Sequence, residues 1–456
     1  MLNNAIFLIC LMIAIICIWN FVLKRRMFEG FLVSFLVLLA CTSTWKNVGG
    51  YIKTGLETSL IYQMVVFYAM SILLSEAKVI DGAVNIILAL LGKIPGGAGY
   101  AAVIASSFMG AFSGTGPGNV LATGSITIPA MKKSHFPAEL AGNIASNSSY
   151  LGNMIPPSGN IVAALGAFNA FILASGGEEM SQSTFWIVCW GCSLWFILQR
   201  LLMVFVFCKV YKVQPLSDAD CPKLGETLRK EWQGLLLPVI ILLPFVLDYL
   251  FKDNLFTDRL TAAGAKNLSN SLLFFVAGLA SIYGVLVAKD KSALKPARVA
   301  RLFGSKLKGF VETIGICLIG YMIGALFTDI KVTDFFVAAV DKLSLSKLGM
   351  CLFIPLLTCF MGMVIPGSSL VSIFGLTFVT MMAAVGVNPL LCAAMLPCYC
   401  GVMCGLTPPL GLGFLAGQSL AESNFKKALT NDLWWIAAQY IMEVVILLGW
   451  LPILGL

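Results

Sequence analysis

Residues 110–120 read GAFSGTGPGNV, in a stretch that is otherwise apolar. Glycine costs a helix backbone entropy and proline deletes an N–H donor, so this run cannot continue an ordinary helix. Three more interruptions lie in apolar sequence: GNMIPPSG at 152–159, IPGSS at 365–369 and GLTPPLG at 405–411. Inside a bilayer, irregular backbone survives only where it is buried in protein or lines a watery cavity. Four such breaks therefore demand a fold whose other helices enclose them, and this constrains the chain more than any other feature does.

That the surroundings are a lipid bilayer follows from composition. Of 456 residues, 59% are hydrophobic and 11% are charged, against about 25% charged in soluble domains. Apolar runs that reach or approach the spanning length of about 20 residues fall at 4–23, 28–44, 57–75, 138–175, 183–208, 232–250, 271–288, 309–328, 389–420 and 431–453. They give about ten crossings. The first run closes on KRR at 24–26 with no small-residue cleavage site behind it, and reads as a membrane helix. The net charge of +8 reads as positive-inside bias rather than nucleic-acid binding. Basic clusters at 24–26, 132–133, 209–230, 289–308 and 426–427 alternate with acidic GGEE at 176–179 and mixed sequence at 248–258. With the basic loops in the cytoplasm every span obeys the bias, and the N-terminus lies outside.

The same inventory excludes most chemistry. One histidine, His135, offers no nucleophile–base pair within the spans. No GxxxxGK[ST] phosphate loop occurs. CWGC at 189–192, and Cys398, Cys400 and Cys404, lie in apolar spans without histidine neighbours, and read as packing thiols rather than metal or redox centres. The expectation is a protein that is not an enzyme, has no cofactor, and draws energy from an ion gradient or a partner.

Two further apolar stretches, 97–130 and 348–386, are each interrupted midway, and each half is too short to span comfortably. They read as re-entrant hairpins, each preceded by an amphipathic arm, near 79–93 and 333–346. The first half runs arm, GKIPGG, a hairpin tipped by SGTGPG, then a span broken at IPP; the second runs arm, LSKLG, a hairpin tipped by IPGSS, then a span broken at TPP. The first hairpin starts and ends in the cytoplasm, whereas the second opens outside. Matching order in opposite orientation is an inverted repeat, and paired interrupted segments point to a secondary transporter's binding site. The fold class expected is an all-α polytopic membrane protein: an inverted repeat with two re-entrant helical hairpins, two unwound transmembrane helices, and an elevator-type transport core on a scaffold. Residues 1–96 would be scaffold helices and the first arm, 97–175 the first core half, 176–347 scaffold and the second arm, 348–420 the second core half, and 421–456 a closing scaffold helix.

Unwound helices expose carbonyls and amides. Carbonyls with hydroxyls suit a small hard cation such as Na⁺, and half-helix N-termini suit a carboxylate. A proline frees the carbonyl one turn earlier. Gly152, Ile155 and Pro157 would offer carbonyls across from the tip at Ser113 to Gly116. Gly405, Leu406, Thr407 and Pro409 would do the same across from Gly367, Ser368 and Ser369. Polar side chains beside these breaks, namely Ser113, Thr115, Asn119, Asn153, Ser158 and Ser369, are candidates for touching the solute. Intramembrane charges lie elsewhere: Arg200, whose stem can snorkel to the cytoplasmic face, Glu312, and Glu443, which shares a helix face with Gln439 and can pair with a neighbouring helix or subunit.

LLGKIPGGAGYAAVIASSFMGAFSGTGPGNVLATGSITIPAMKK (90–133) followed by IPPSG, with GVNPLLCAAMLPCYCGVMCGLTPPLGLGFLAG (386–417), resembles the large membrane subunit of the tripartite ATP-independent periplasmic (TRAP) transporters. The resemblance covers most of the chain from about residue 55. It implies an elevator-type, sodium-coupled importer of a small organic anion, such as a C4-dicarboxylate, a sialic-acid-like acid or a related carboxylate, in the bacterial cytoplasmic (inner) membrane. It implies two partners, a small four-helix membrane subunit and an extracytoplasmic substrate-binding protein. It implies that the first sodium site is Ser113, Gly116, Gly152, Ile155 and Pro157, and that Gly405 to Pro409 face the second hairpin. The tip reads SGTG where the family commonly has SGSS, so Gly116 offers only backbone, and VIPGSS lacks an aspartate that the family often carries. The alternatives are a standalone dicarboxylate symporter or exchanger of the same superfamily and, from another class, a membrane scaffold or intramembrane enzyme.

Overall fold

The computed structural model describes residues 2–113, 116–291, 295–342 and 344–456. All regular structure among them is helical. Helices suit these apolar runs because each satisfies its own backbone without help from solvent. Among the described residues, eight helices are long and apolar enough to cross a membrane, or nine if the bent pair Trp45–Glu57 and Ile61–Glu76 counts as one span.

The difference from about ten crossings has local causes. The run at 28–44 forms the helix Met27–Thr42, whose 16 residues fall short of that length. The closing helix, Phe425–Leu447, carries buried Asp432, Gln439 and Glu443 within its apolar sequence. One element expected as a hairpin arm, Gly367–Ala384, is by itself long and apolar enough to span.

In each half of the chain a short helix precedes a helical pair, and a broken span follows. The short helices are Val79–Leu91 and Val332–Lys342. The first pair is Gly97–Ser113 with Gly116–Lys133, and the second is Lys347–Gly362 with Gly367–Ala384. The first broken span is Ala138–Leu151 followed by Gly159–Ala174. The second begins with Pro389–Leu396, passes through a π-helical turn at Pro397–Val402 and one turn at Met403–Leu406, and resumes as Leu412–Ala421.

The ends of the first hairpin are strapped together by the segment after the long helix Gln182–Val210. Gln214 N donates to Ser134 O at 3.1 Å and Leu216 N to Gly92 O at 2.9 Å. Lys93 and Lys133 reach Asp218 and Asp220 at 2.8 and 2.6 Å. The closing helix is tied to the first broken span: Asn147 Nδ2 donates to Asp432 Oδ1 at 2.9 Å, and Asn143 Nδ2 to Ala428 O at 3.0 Å.

Arg200 does not snorkel. It is 1% exposed, held over the Phe196 ring and hydrogen-bonded to Gln199. Glu443 is fully buried, and Glu312 is half-buried on the helix Pro296–Asp329.

Candidate functional site

The first break begins where Gly152–Met154 tightens into a 3₁₀ turn and Ile155 becomes extended. Two prolines follow, joined by a cis peptide, and Ser158 starts the next helix. Ser158 is extended, and its Oγ donates back to Asn153 O at 2.5 Å, which closes the loop on itself. The second break has the same plan. Thr407 is extended, Pro408 and Pro409 share a cis peptide, and Gly411 precedes the next helix. Thr407 Oγ1 donates to Met403 O at 2.9 Å, and Leu410 N donates to Met363 O at 3.2 Å, which joins this break to the tip of the second hairpin.

The breaks meet. Asn153 Nδ2 donates to Gly401 O at 3.4 Å, which links the first break to the π-helical turn of the second span. A side chain on Gly401 would place its Cβ 2.9 Å from Asn160 Nδ2, and one on Gly367 would place its Cβ 2.4 Å from Cys400 O. At Gly367 glycine is required because two backbones approach one another, whereas Gly401 is crowded by the side chains of Asn160 and Asn153. Tyr150, at the end of Ala138–Leu151, fills the centre. Its ring is pressed by Gly116 of the first hairpin and by Gly405 and Gly413 of the second broken span, with would-be Cβ distances of 2.4, 1.6 and 2.0 Å.

These elements enclose a cavity of about 180 Å³, into which Gly116, Asn153, Ser158, Gly367, Ser368 and Gly405 all face. Six candidates from the sequence therefore share one space. Gly152, Ile155, Pro157, Leu406 and Thr407 are buried in the same two breaks, behind that lining, while Pro409 is exposed. Asn119 is engaged elsewhere: its amide donates to Ser106 O at 2.8 Å and Ser149 O at 3.3 Å, knitting the first hairpin to the first broken span. Ser369 is fully buried in the second hairpin. Thr115 and the side chain of Ser113 lie outside the described residues.

The sequence reading missed Tyr150, Asn160, Thr313 and Cys404, which also line the cavity. Asn160 was findable, because it mirrors Asn153 across the double proline. Tyr150 was not, because only packing sets a ring against three glycines distant in sequence.

Among the described residues, no carboxylate and no cationic side chain lines the cavity. Two helix N-termini open onto it. In Gly367–Ala384 the first hydrogen bond back to Pro366 O comes from Ser369 N at 3.0 Å, and in Gly159–Ala174 the first to Ser158 O comes from Ile161 N at 3.1 Å. The amides before them are the orphan donors of a helix start, which favour an anion. A larger cleft of about 900 Å³ lies apart from this site, lined by Gln63, Gln182, Lys266 and Thr377.

Helices of spanning length enclosing a cavity built from their own interruptions define a polytopic membrane protein. The chain matches the family model described as "Tripartite ATP-independent periplasmic transporter, DctM component" over residues 5–454. It belongs to that family. It is 22% identical over 377 residues to the sialic acid TRAP transporter large permease protein SiaM of Vibrio cholerae, covering 81% of this chain and 80% of that protein. It is 24% identical over 411 residues to the C4-dicarboxylate TRAP transporter large permease protein DctM of the same species, covering 85% and 84%. Among solved structures, the YdaH transporter of Alcanivorax borkumensis has the same overall fold, with a TM-score of 0.60 at 17% identity over 90% of this chain and 88% of that one.

Proposed function

We propose that this chain is the large membrane subunit of a sodium-driven importer that carries a small organic acid into a bacterial cell across its inner membrane. The observation that carries this reading is the uncharged cavity at the meeting of the two breaks. Two helix N-termini favour a carboxylate there, but among the described residues no cationic side chain lines it. A buried anion without a counter-charge is costly, so a co-transported cation must supply it. Gly152, Ile155 and Pro157 would offer the first sodium ion carbonyls, together with the tip at Ser113 to Gly116. Gly405, Leu406, Thr407 and Pro409, with Gly367 and Ser368, would hold the second. The amides of Gly159, Asn160, Gly367 and Ser368 would hold the carboxylate. The relatives named for sialic acid and C4-dicarboxylates support an organic acid as the solute.

The moving body would be the two hairpins with the two broken spans, sliding as an elevator and carrying the loaded cavity between faces. The helices Gln182–Val210 and Phe425–Leu447 would travel with it rather than stay in the scaffold. Their buried polar contacts, Ser193 Oγ to Met154 O at 2.7 Å and Asn147 to Asp432, are made with the broken span. The N-terminus would lie outside. The TRAP large permease family works with a small membrane subunit and a periplasmic binding protein, and an isethionate TRAP permease relative is named DctMQ. We assign this chain equivalent separate partners. The test is uptake of labelled organic acids into proteoliposomes that hold this chain and its partners. Uptake should need an inward sodium gradient. Uptake indifferent to sodium overturns the coupling, and uptake by this chain alone overturns the partners.

A further inference from the structure

The π-helical turn Pro397–Val402 brings Gly401 to the cavity. Such turns are rare and local, so something must hold this one in place. A buried polar cluster touches it from outside the cavity. Cys398 Sγ–H donates to Glu443 Oε1 at 3.3 Å, and Gln439 Nε2 donates to that oxygen at 2.9 Å. Cys398, Gln439 and Glu443 are each fully buried. Arg200, on the neighbouring helix Gln182–Val210, is within electrostatic reach of Glu443. Glu443 Oε2 and Arg200 Nε and Nη2 have no hydrogen-bond partner among the described residues. None of these groups lines the cavity. A buried charge pair gives little net stability, and its best-attested use is to fix register. Here the cluster's direct hydrogen bond to the binding machinery runs through Cys398.

We infer that Glu443 is a positioning residue, acting through Cys398 to set the turn whose Gly401 backbone faces the cavity. This rests on the sodium-coupled reading above. The leverage is geometric: Gly401 O accepts Asn153 of the first break, and Gly367 of the second hairpin packs against the backbone of Cys400 and Gly401. A displaced turn disturbs both halves of the site together.

The probe is sodium. The melting temperature of the purified full chain is followed as choline is replaced by Na⁺ at constant ionic strength. The wild-type protein should be stabilised by sodium. Cys398→Ala removes the donor to Glu443, the sulfur that accepts from Gln439 Nε2, and little volume. It should raise the half-saturating sodium concentration about fivefold, with only a small fall in the sodium-free melting temperature. Cys398→Ser, whose hydroxyl also donates, should restore wild-type affinity. The double variant Arg200→Met with Glu443→Leu removes both charges and the acceptor for Cys398 together and should weaken sodium in the same way. A wild-type protein unmoved by sodium overturns the sodium reading itself. A responsive wild type whose Cys398→Ala and double variants titrate like it overturns the positioning role alone. So does a weakening that tracks lost sodium-free stability and that Cys398→Ser does not reverse.

Discussion

The first break is built from side chains and the second from bare backbone. Around the first stand Asn143, Asn147, Asn153, Ser158 and Asn160, and Ser158 and Asn153 close the loop locally. Around the second stand Gly401, Gly405 and Gly411 with Cys398, Cys400 and Cys404, and the loop is held by its neighbours: Met363 of the hairpin, Tyr150 of the first span and Glu443 of the closing helix. Two breaks with the same double-proline plan thus reach one cavity by different means. The first break keeps its shape by side-chain hydrogen bonds, one within the loop and others to the elements around it. A break made of glycines has the local bonds of Thr407 Oγ1 and Gly411 N but leans further on the groups packed against it. The second should therefore tolerate added volume poorly, and the first should tolerate lost polar groups poorly.

The sharpest way to break this comparison is to add one carbon to the second break. Gly405→Ala sets a Cβ 1.6 Å from the Tyr150 ring, which Gly116 and Gly413 already confine. Overpacking of this kind costs about 3 kcal/mol. Sodium-driven uptake should be abolished and the melting temperature lowered. The double variant with Tyr150→Ala should recover part of the melting temperature. Next in size is Asn153→Ala, which removes the link to Gly401 O and costs about 1 kcal/mol. It should lower uptake roughly fivefold, because both breaks shift. Thr407→Ala is the matched change in the second break. The hydroxyl bonds only its own helix at Met403 O, so uptake should fall about twofold, since a local bond is worth a few tenths of a kcal/mol. If Thr407→Ala harms uptake more than Asn153→Ala, the contrast between the breaks is wrong.

The interruptions themselves were legible in sequence, because proline and glycine act through local backbone chemistry. Helix ends at Leu151, Gly362 and Leu406 fall where the sequence places the breaks. Their meeting in one cavity could be argued only from the need to bury them. What was illegible depends on packing across long sequence distances. Tyr150 looks like an ordinary aromatic until three glycines close on it. Arg200 has the length to snorkel, and only the structure reveals that it stays inside, over the Phe196 ring and hydrogen-bonded to Gln199. Asn119 shows the converse. A polar residue beside a predicted tip was a fair candidate for solute, yet its amide is spent on two carbonyls that hold the hairpin to the first broken span.

The smallest expected effect lies outside the membrane, at the strap over the first hairpin. The Lys93 ammonium, by hydrogen bond first and charge second, holds the Asp218 carboxyl below its usual value, and Lys133 does the same for Asp220 with Ser217. A depressed carboxyl contributes stability above its ordinary pKa of about 4 and loses it as pH falls through the lower folded value. Both aspartates are solvent-exposed, so the contribution is slight. Asp218→Asn with Asp220→Asn should lower the melting temperature slightly at neutral pH, and by less as the medium is acidified below about pH 4. Uptake should be unchanged, which would separate the strap from the site.

Equilibrium binding of radiolabelled sodium to the purified chain, with and without a panel of small organic acids, tests the central claim most directly. A neutral cavity that holds a cation and an anion together must bind each more tightly when the other is present, by equal factors. The account predicts saturable sodium binding that potassium does not displace, that one of the acids strengthens, and that Gly405→Ala abolishes. Sodium binding that no organic acid alters, or that survives Gly405→Ala intact, would contradict it.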